Sequence, residues 1–244
     1  KHAWEKQTHQ QLELLTSSGS QENFTALKES KADFALLQGG VVDLDGLNII
    51  APLSTDLIHV IVRKESSIRA ISDLKGKSIL IGMSGSGMAA SALKMLHFHG
   101  LDEVNTNLKN AYFTGLDGNQ NMDAAIVTAG ILNSDLVELL ESGNYRIIPI
   151  EYAQAFCEKN AFFSPTVIHK GLYRMGDSLL SHDIPTVATT ALLVGREELS
   201  HEVVDQILLA SFEKASYVQS PVMLNIEEVR QQQDLKLHPR AMHY

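Results

Sequence analysis

Two short stretches combine small hydroxyl side chains with glycine: Thr16-Ser17-Ser18-Gly19-Ser20 and Gly82-Met83-Ser84-Gly85-Ser86-Gly87. Each follows an apolar run that reads as a strand, Leu12–Leu15 or Ser78–Ile81, and each precedes a helical pattern. At a strand-to-helix turn, glycine lets the backbone approach a bound group closely. The free amides and the positive end of the helix dipole then favour an anion such as a carboxylate or phosphate. The candidate contacts are Ser17, Ser18, Gly19 and Ser20 from the first loop, and Ser84, Gly85, Ser86 and Gly87 from the second. The alternative is that these hydroxyls only cap helices, with Ser18 or Ser20 serving the helix over residues 22–29. Two such loops in successive α/β units suit a small acid.

Other chemistries fit less well. Gly85-Ser86-Gly87-Met88-Ala89-Ala90 matches a dinucleotide-binding pattern, but the next strand, Leu108–Phe113, ends in Thr114-Gly115 rather than an acid. No phosphate-binding G-x-x-x-x-G-K-[ST] occurs, and neither Ser84 nor Ser86 lies in a nucleophile elbow. His97 and His99 are two apart on a predicted helix and point to different faces, and His238 and His243 lie in a polar tail, so none reads as a metal ligand. Cys157 is the single cysteine. With Glu158 and Lys159 beside it and no evident base, it reads as a structural thiol, and it cannot form an internal disulfide. A net charge of −9 without a Lys/Arg run argues against nucleic acid as a partner. The expectation is a binding protein with no catalytic residues, metal or cofactor.

The elements that must position these loops alternate in type. Strands are expected at Leu12–Leu15, Phe34–Leu37, Leu47–Ile50, Ile58–Val62, Ser78–Ile81, Leu108–Phe113, Ala124–Val127, Tyr145–Ile150 and Pro185–Val194. Helices are expected at Lys1–Gln11, Glu22–Glu29, Ala89–His99, Leu132–Leu140 and Glu202–Val218, with one turn at Ser72–Leu74 stopped by Gly76. The alternation predicts an α/β fold with mostly parallel sheets. The longest apolar stretch, Val41–Leu57, is broken by Asp43, Asp45, Asn48 and Asp56, and is too short for a membrane span. Because the chain opens inside a helical pattern, some preceding sequence is expected to be absent.

Taken in order, these segments resemble the TAXI solute receptors of TRAP transporters. Thr16–Asn23 is similar to the family's T-G-G-S-x-E-N loop, and Leu27–Gln38 to its L-x-S-G-E-A-D-x-A-L-V-Q segment. The likeness continues through Ile58–Lys64, Ile71–Lys77, Gly82–Gly87, Asn121–Ala125, Ile168–Tyr173 and Leu237–Ala241. The resemblance implies a class II periplasmic-binding-protein fold, with two α/β lobes and a ligand cleft between them. Lobe 1 would comprise residues 1–70 and 184–244, and lobe 2 residues 71–183. It implies capture of a small organic acid or amino acid (glutamate or 2-oxoglutarate in kind) by lobe closure, outside the cytoplasm, for delivery to membrane transporter subunits. It adds Gln38, Gly39 and Tyr173 as candidate ligand contacts. The family's first strand and its G-T-Y-Y loop have no counterpart here. The family's G-S-G-T-R is Gly85-Ser86-Gly87-Met88-Ala89, which moves carboxylate binding onto backbone amides and Arg174. Its P-A-G is His169-Lys170-Gly171, which brings in a basic group. The competing function is a ligand-sensing input domain fused to a membrane signalling module; an enzyme on this fold is the third reading.

Overall fold

The computed structural model describes residues 2–9, 11–212, 224, 235 and 237–243. The chain forms two compact units, Lys1–Thr55 with Thr190–Tyr244, and Asp56–Thr189. It passes from one to the other inside two long strands, β2 (Leu47–Arg63) and β10 (Ile184–Arg196). Leu47–Ile50 and Ile58–Val62, expected as separate strands, are therefore one strand of 17 residues. Asp56, which reads as a break in the apolar stretch, is instead the first residue of the second unit.

In the second unit, residues 57–62 of β2 pair antiparallel with β5 (Ala124–Ala129), and residues 60–63 with β6 (Tyr145–Ile148). β5 pairs in parallel with β3 (Ser78–Leu80), and β3 in parallel with β4 (Asn107–Lys109). Between β3 and β4 runs α3 (Gly87–Phe98), which makes a crossover unit with its helix on the sheet. Residues 184–189 of β10 pair antiparallel with β7 (Phe163–Ile168). Antiparallel ladders on the two long strands take the place of the mostly parallel sheet that the alternation suggested.

Both faces of this sheet are covered. Side chains alternate along a strand. Leu57, Ile61, Leu80, Ala125 and Val127 meet Leu136, Leu139 and Leu140 of α4 (Ser134–Glu141) on one face. Ile58, Val60, Val62, Ile79, Ala124 and Ile126 meet Ala92, Met95 and Leu96 of α3 on the other, with Phe156 of α5 (Ala153–Lys159). Burial on both faces explains why β2 and β5 read as unbroken apolar runs. The expected strand Leu108–Phe113 stops at Lys109, and Phe113 opens a 3-10 turn, Phe113–Leu116, that buries its ring completely. β7, α5 and the hairpin of β8 (Arg174–Met175) with β9 (Ser178–Leu179) were not expected.

In the first unit β1 (Phe34–Gln38) pairs antiparallel with residues 191–195 of β10. α2 (Ser20–Lys28) contributes Leu27 to a core with Leu37, Leu47, Ile49, Leu192 and Val194. α1 (His2–Thr8) and α6 (His201–Phe212) enclose a second core of Trp4, Ile50, Ala51, Leu193, Val204, Ile207 and Leu208. Residues 213–218 of the helix expected to end at Val218 lie outside the described residues. Leu12–Leu15 is not a strand. Residues 11–17 carry no regular structure, and Leu14 and Leu15 are exposed. Residues 11–17 and 31–36 are among those that line a groove of about 1140 Å³, and residues 12–15 form no ladder with β1.

Candidate ligand-binding site

The loop 81–86 leaves the carboxyl end of β3 and enters α3. Gly82 has φ +96°, and a Cβ there would lie 3.0 Å from Cβ of Met88, so the turn needs glycine. Gly82 donates its amide to the Ala111 carbonyl at 3.2 Å and accepts from Asn110 Nδ2 at 3.2 Å. Gly85 also has positive φ, at +75°. Ser86 is the N-cap of α3, its Oγ accepting from the Ala89 amide at 3.1 Å. Ser84 and Gly85 are exposed and Gly87 is buried. The Gly87 and Met88 amides, the first two of the helix, have no acceptor among the described residues. Two unpaired amides at the positive end of a twelve-residue helix form an anion-binding geometry.

Because β3, β4 and β5 are parallel, the turns after all three gather at one sheet edge. After β4, Asn110 and Tyr112 belong to this edge, and Tyr112 donates its hydroxyl to Asp135 Oδ2 at 2.8 Å. After β5, Gly130 leads to Asn133, whose Oδ1 accepts from the Leu136 amide at 2.9 Å and caps α4. β2 runs the opposite way, so Asp56, which precedes the Leu57–Ala129 pair, reaches the same edge. Its Oδ1 would lie 3.5 Å from a Cβ added at Gly130. Burial pushes its pKa up to about 6. Sequence reasoning singled out none of Asp56, Asn110, Tyr112, Gly130 or Asn133 as a site residue. The one signal was Asp56 itself, a carboxylate interrupting an otherwise apolar run.

The first loop is organised differently. Its helix begins at Ser20 with Gly19 as N-cap, and no side chain caps it. Ser18, expected as a cap, donates both its amide and its hydroxyl to Glu22 Oε2, each at 2.7 Å. These bonds hold the Glu22 carboxyl below its ordinary pKa. Ser20 is buried, and its Oγ accepts from the Gln38 amide at 3.1 Å, pinning α2 to the end of β1. Asn23 Nδ2 donates to the Leu36 carbonyl at 2.8 Å on the same strand. Gly39 is buried and donates to the Thr190 carbonyl at 2.8 Å, while Ser17 is exposed. The first unit thus brings Ser18, Gly19, Ser20, Gln38 and Gly39 together, with Glu22 where an external carboxylate was expected.

Tyr173 is 3% exposed, and its hydroxyl lies 2.9 Å from Nε2 of His59, which is fully buried. Burial drives His59 down to about 4, against the opposing effect of the Val127 and Leu57 backbone, so the ring is neutral near pH 7. Burial also raises the Tyr173 phenol. Tyr173 belongs to the core on the α4 face of the sheet, not the α3 face. Arg174 is exposed in the β8–β9 hairpin, where it donates to the Asp177 carbonyl at 3.4 Å. Lys170 is exposed, and its amide is bound by Asp183 Oδ1 at 2.8 Å.

Among the described residues no group of three or more His, Cys, Asp or Glu side chains could hold a metal ion. His97 lies 3.7 Å from Glu103, and His238 is buried with Nδ1 accepting from the Arg240 amide. Burial raises the half-buried Cys157 thiol to about 11, the reverse of an activated nucleophile. No helix among the described residues is long and apolar enough to cross a membrane.

The NMT1-like family matches this chain over residues 2–244. The periplasmic aliphatic sulphonate binding protein SsuA from Escherichia coli is 13% identical. That match covers 99% of this chain and 77% of that one, at a TM-score of 0.55. The alkanesulfonate-binding SsuA from Xanthomonas axonopodis pv. citri, solved with MOPS, is 15% identical over 99% and 74% of the two chains, at 0.55. Holo ArgBP from T. maritima is 11% identical over 90% and 81%, at 0.51. The mixed α/β architecture is that of periplasmic binding proteins, as the sequence led one to expect, and these neighbours are binding proteins rather than enzymes.

Proposed function

Since the chain belongs to the NMT1-like family, we propose that it is an extracytoplasmic solute receptor of the TAXI kind. It captures a small organic acid or amino acid, glutamate- or 2-oxoglutarate-like, for a TRAP transporter and performs no chemistry on it. The observation that carries this reading is the open N-terminus of α3. The Gly87 and Met88 amides, without an acceptor among the described residues, lie at the edge of the sheet where three parallel strands end. Ser84, Gly85, Ser86 and Gly87 are the ligand contacts assigned to the second unit. Ser17, Ser18, Gly19, Ser20, Gln38 and Gly39 are those assigned to the first, and Tyr173 supports the second from within its core. Ser18 offers its two donors to a ligand only when the Glu22 carboxylate moves off them. The ordered likeness from Thr16–Asn23 through Leu237–Ala241 supports the TAXI assignment.

A thermal-shift screen against small carboxylates and amino acids tests the proposal. At a ligand concentration of about 100 times Kd, stabilisation is about 2.7 kcal/mol, which at this chain length is a rise in Tm of roughly 5–10 °C. Ser86→Trp, which crowds the open amides, abolishes the rise. No shift with any acid or amino acid at millimolar concentration refutes the reading.

A further inference from the structure

Asp56 is the first residue of the second unit, one position beyond the Leu57–Ala129 pair, and its carboxylate stands against the Gly130 backbone. Alternation along β2 places its side chain on the face of Ile58 and Val60, the face packed by Ala92, Met95 and Leu96 of α3. α3 returns along the sheet opposite to β3 and packs on β5, so its N-terminus comes to the edge where Asp56 stands. Thr128 lies directly across from Ile58, on that same face. Its buried Oγ1 has no hydrogen-bond partner among the described residues. Asp56 has neither a hydrogen bond nor an ion pair among the described residues, and burial is the one cause acting on its pKa. A half-buried carboxylate without a partner costs the fold stability, and Asn or Thr at this position would avoid that cost. β2 and β3 are two strand spacings apart, about 10 Å, with α3 over the strand between them. The N-terminus of α3 and Asp56 therefore share one edge and one face of the sheet.

We propose that Asp56 is the counter-ion for a cationic nitrogen of the solute, so that the site takes a zwitterionic amino acid: its carboxylate lies on the Gly87 and Met88 amides and its ammonium against Asp56. This rests on the solute-receptor reading and selects the amino acid over the 2-oxo acid or simple carboxylate that the same helix terminus would accept. The two classes share a carboxylate and differ in one group, ammonium against carbonyl, so helix amides alone discriminate little between them.

The experiment is titration calorimetry on protein stripped of resident ligand by unfolding and refolding. The probes are matched pairs: L-alanine with pyruvate, L-aspartate with oxaloacetate, L-glutamate with 2-oxoglutarate, and L-phenylalanine with phenylpyruvate. In wild type the amino member of at least one pair binds at least tenfold tighter than its oxo partner. Asp56→Asn, checked for folding by circular dichroism, brings the two within about threefold, chiefly by weakening the amino acid. Wild-type affinity for that amino acid also falls as pH is lowered through about 6, where Asp56 takes up a proton. An oxo acid that binds as tightly as its amino partner overturns this inference and leaves the carboxylate receptor standing. A full amino preference retained in Asp56→Asn removes Asp56 from the site. Binding of no member of any pair overturns the inference together with the receptor reading.

Discussion

Replacing Asp56 with Asn removes a charge that the second unit holds out of water. The carboxyl titrates at its ordinary 3.8 in the unfolded chain and at about 6 in the fold. A difference of about two pKa units corresponds to about 3 kcal/mol of stability forgone once the group is ionised in both states. Partial exposure brings the expected figure to about 1–3 kcal/mol. The sign follows from proton counting. Between pH 3.8 and about 6 the folded protein holds a proton at Asp56 that the unfolded chain has released, so this group makes stability fall as pH rises through that window. His59 acts in the opposite direction over nearly the same range. Its pKa is 6.5 unfolded and about 4 folded, so the unfolded chain holds the extra proton and stability rises with pH. In wild type the two slopes largely offset each other, and Asp56→Asn exposes the His59 slope. Urea unfolding of both proteins from pH 4 to pH 8 measures this. The variant and wild type should agree near pH 4, apart from a pH-independent offset. The variant should gain about 1–3 kcal/mol by pH 7 with the urea dependence of the free energy unchanged. A difference that stays flat between pH 4 and pH 7 refutes the placement of Asp56 in a desolvated, partnerless site.

Tyr173→Phe takes the phenol away from Nε2 of the buried His59 ring and should cost about 1–3 kcal/mol in urea unfolding. Ser20→Ala deprives the Gln38 amide of its acceptor at a buried junction and should cost about 1–2 kcal/mol, with loosened hydrogen exchange at the end of β1. Gly82→Ala puts a Cβ at positive φ against Met88 and should lower stability by about 1–3 kcal/mol. Its solute affinity should fall as well, read by the same calorimetry. Cys157, with its thiol raised to about 11, should alkylate at pH 8 roughly a hundredfold more slowly than an ordinary cysteine.

Elements whose signals are local were legible in the chain. α3 needs only its apolar stripe and the Ser86 cap, and the turn before it announces itself through Gly82 and Gly85, positions that require positive φ. Ala124–Val127 and Ile58–Val62 read as strands because burial on both faces leaves no polar alternation. The expected strand Leu12–Leu15 failed for the complementary reason. A ladder needs a neighbour as well as an apolar run, and residues 12–15 pair with no strand among the described residues. The likeness of Gly82–Gly87 to a known receptor turn pointed to the helix that carries the open amides.

What the residues alone determined is the local chemistry: which turn needs glycine, which hydroxyl can cap a helix, and which stretches must be buried. Only the tertiary structure decided what each polar group does. Ser18 and Ser20 stand two positions apart in one loop, yet Glu22 binds the first and the Gln38 amide binds the second. Tyr173 is separated from His59 by 114 residues, and no pattern in either segment announces their hydrogen bond. Asp56 reads as an interruption until the antiparallel pairing of β2 with β5 brings it to the edge where β3, β4 and β5 end. The physical reason is common to all three. Propensity and capping act over a few residues, whereas the desolvation and hydrogen bonding of a polar side chain depend on which distant strand lies beside it.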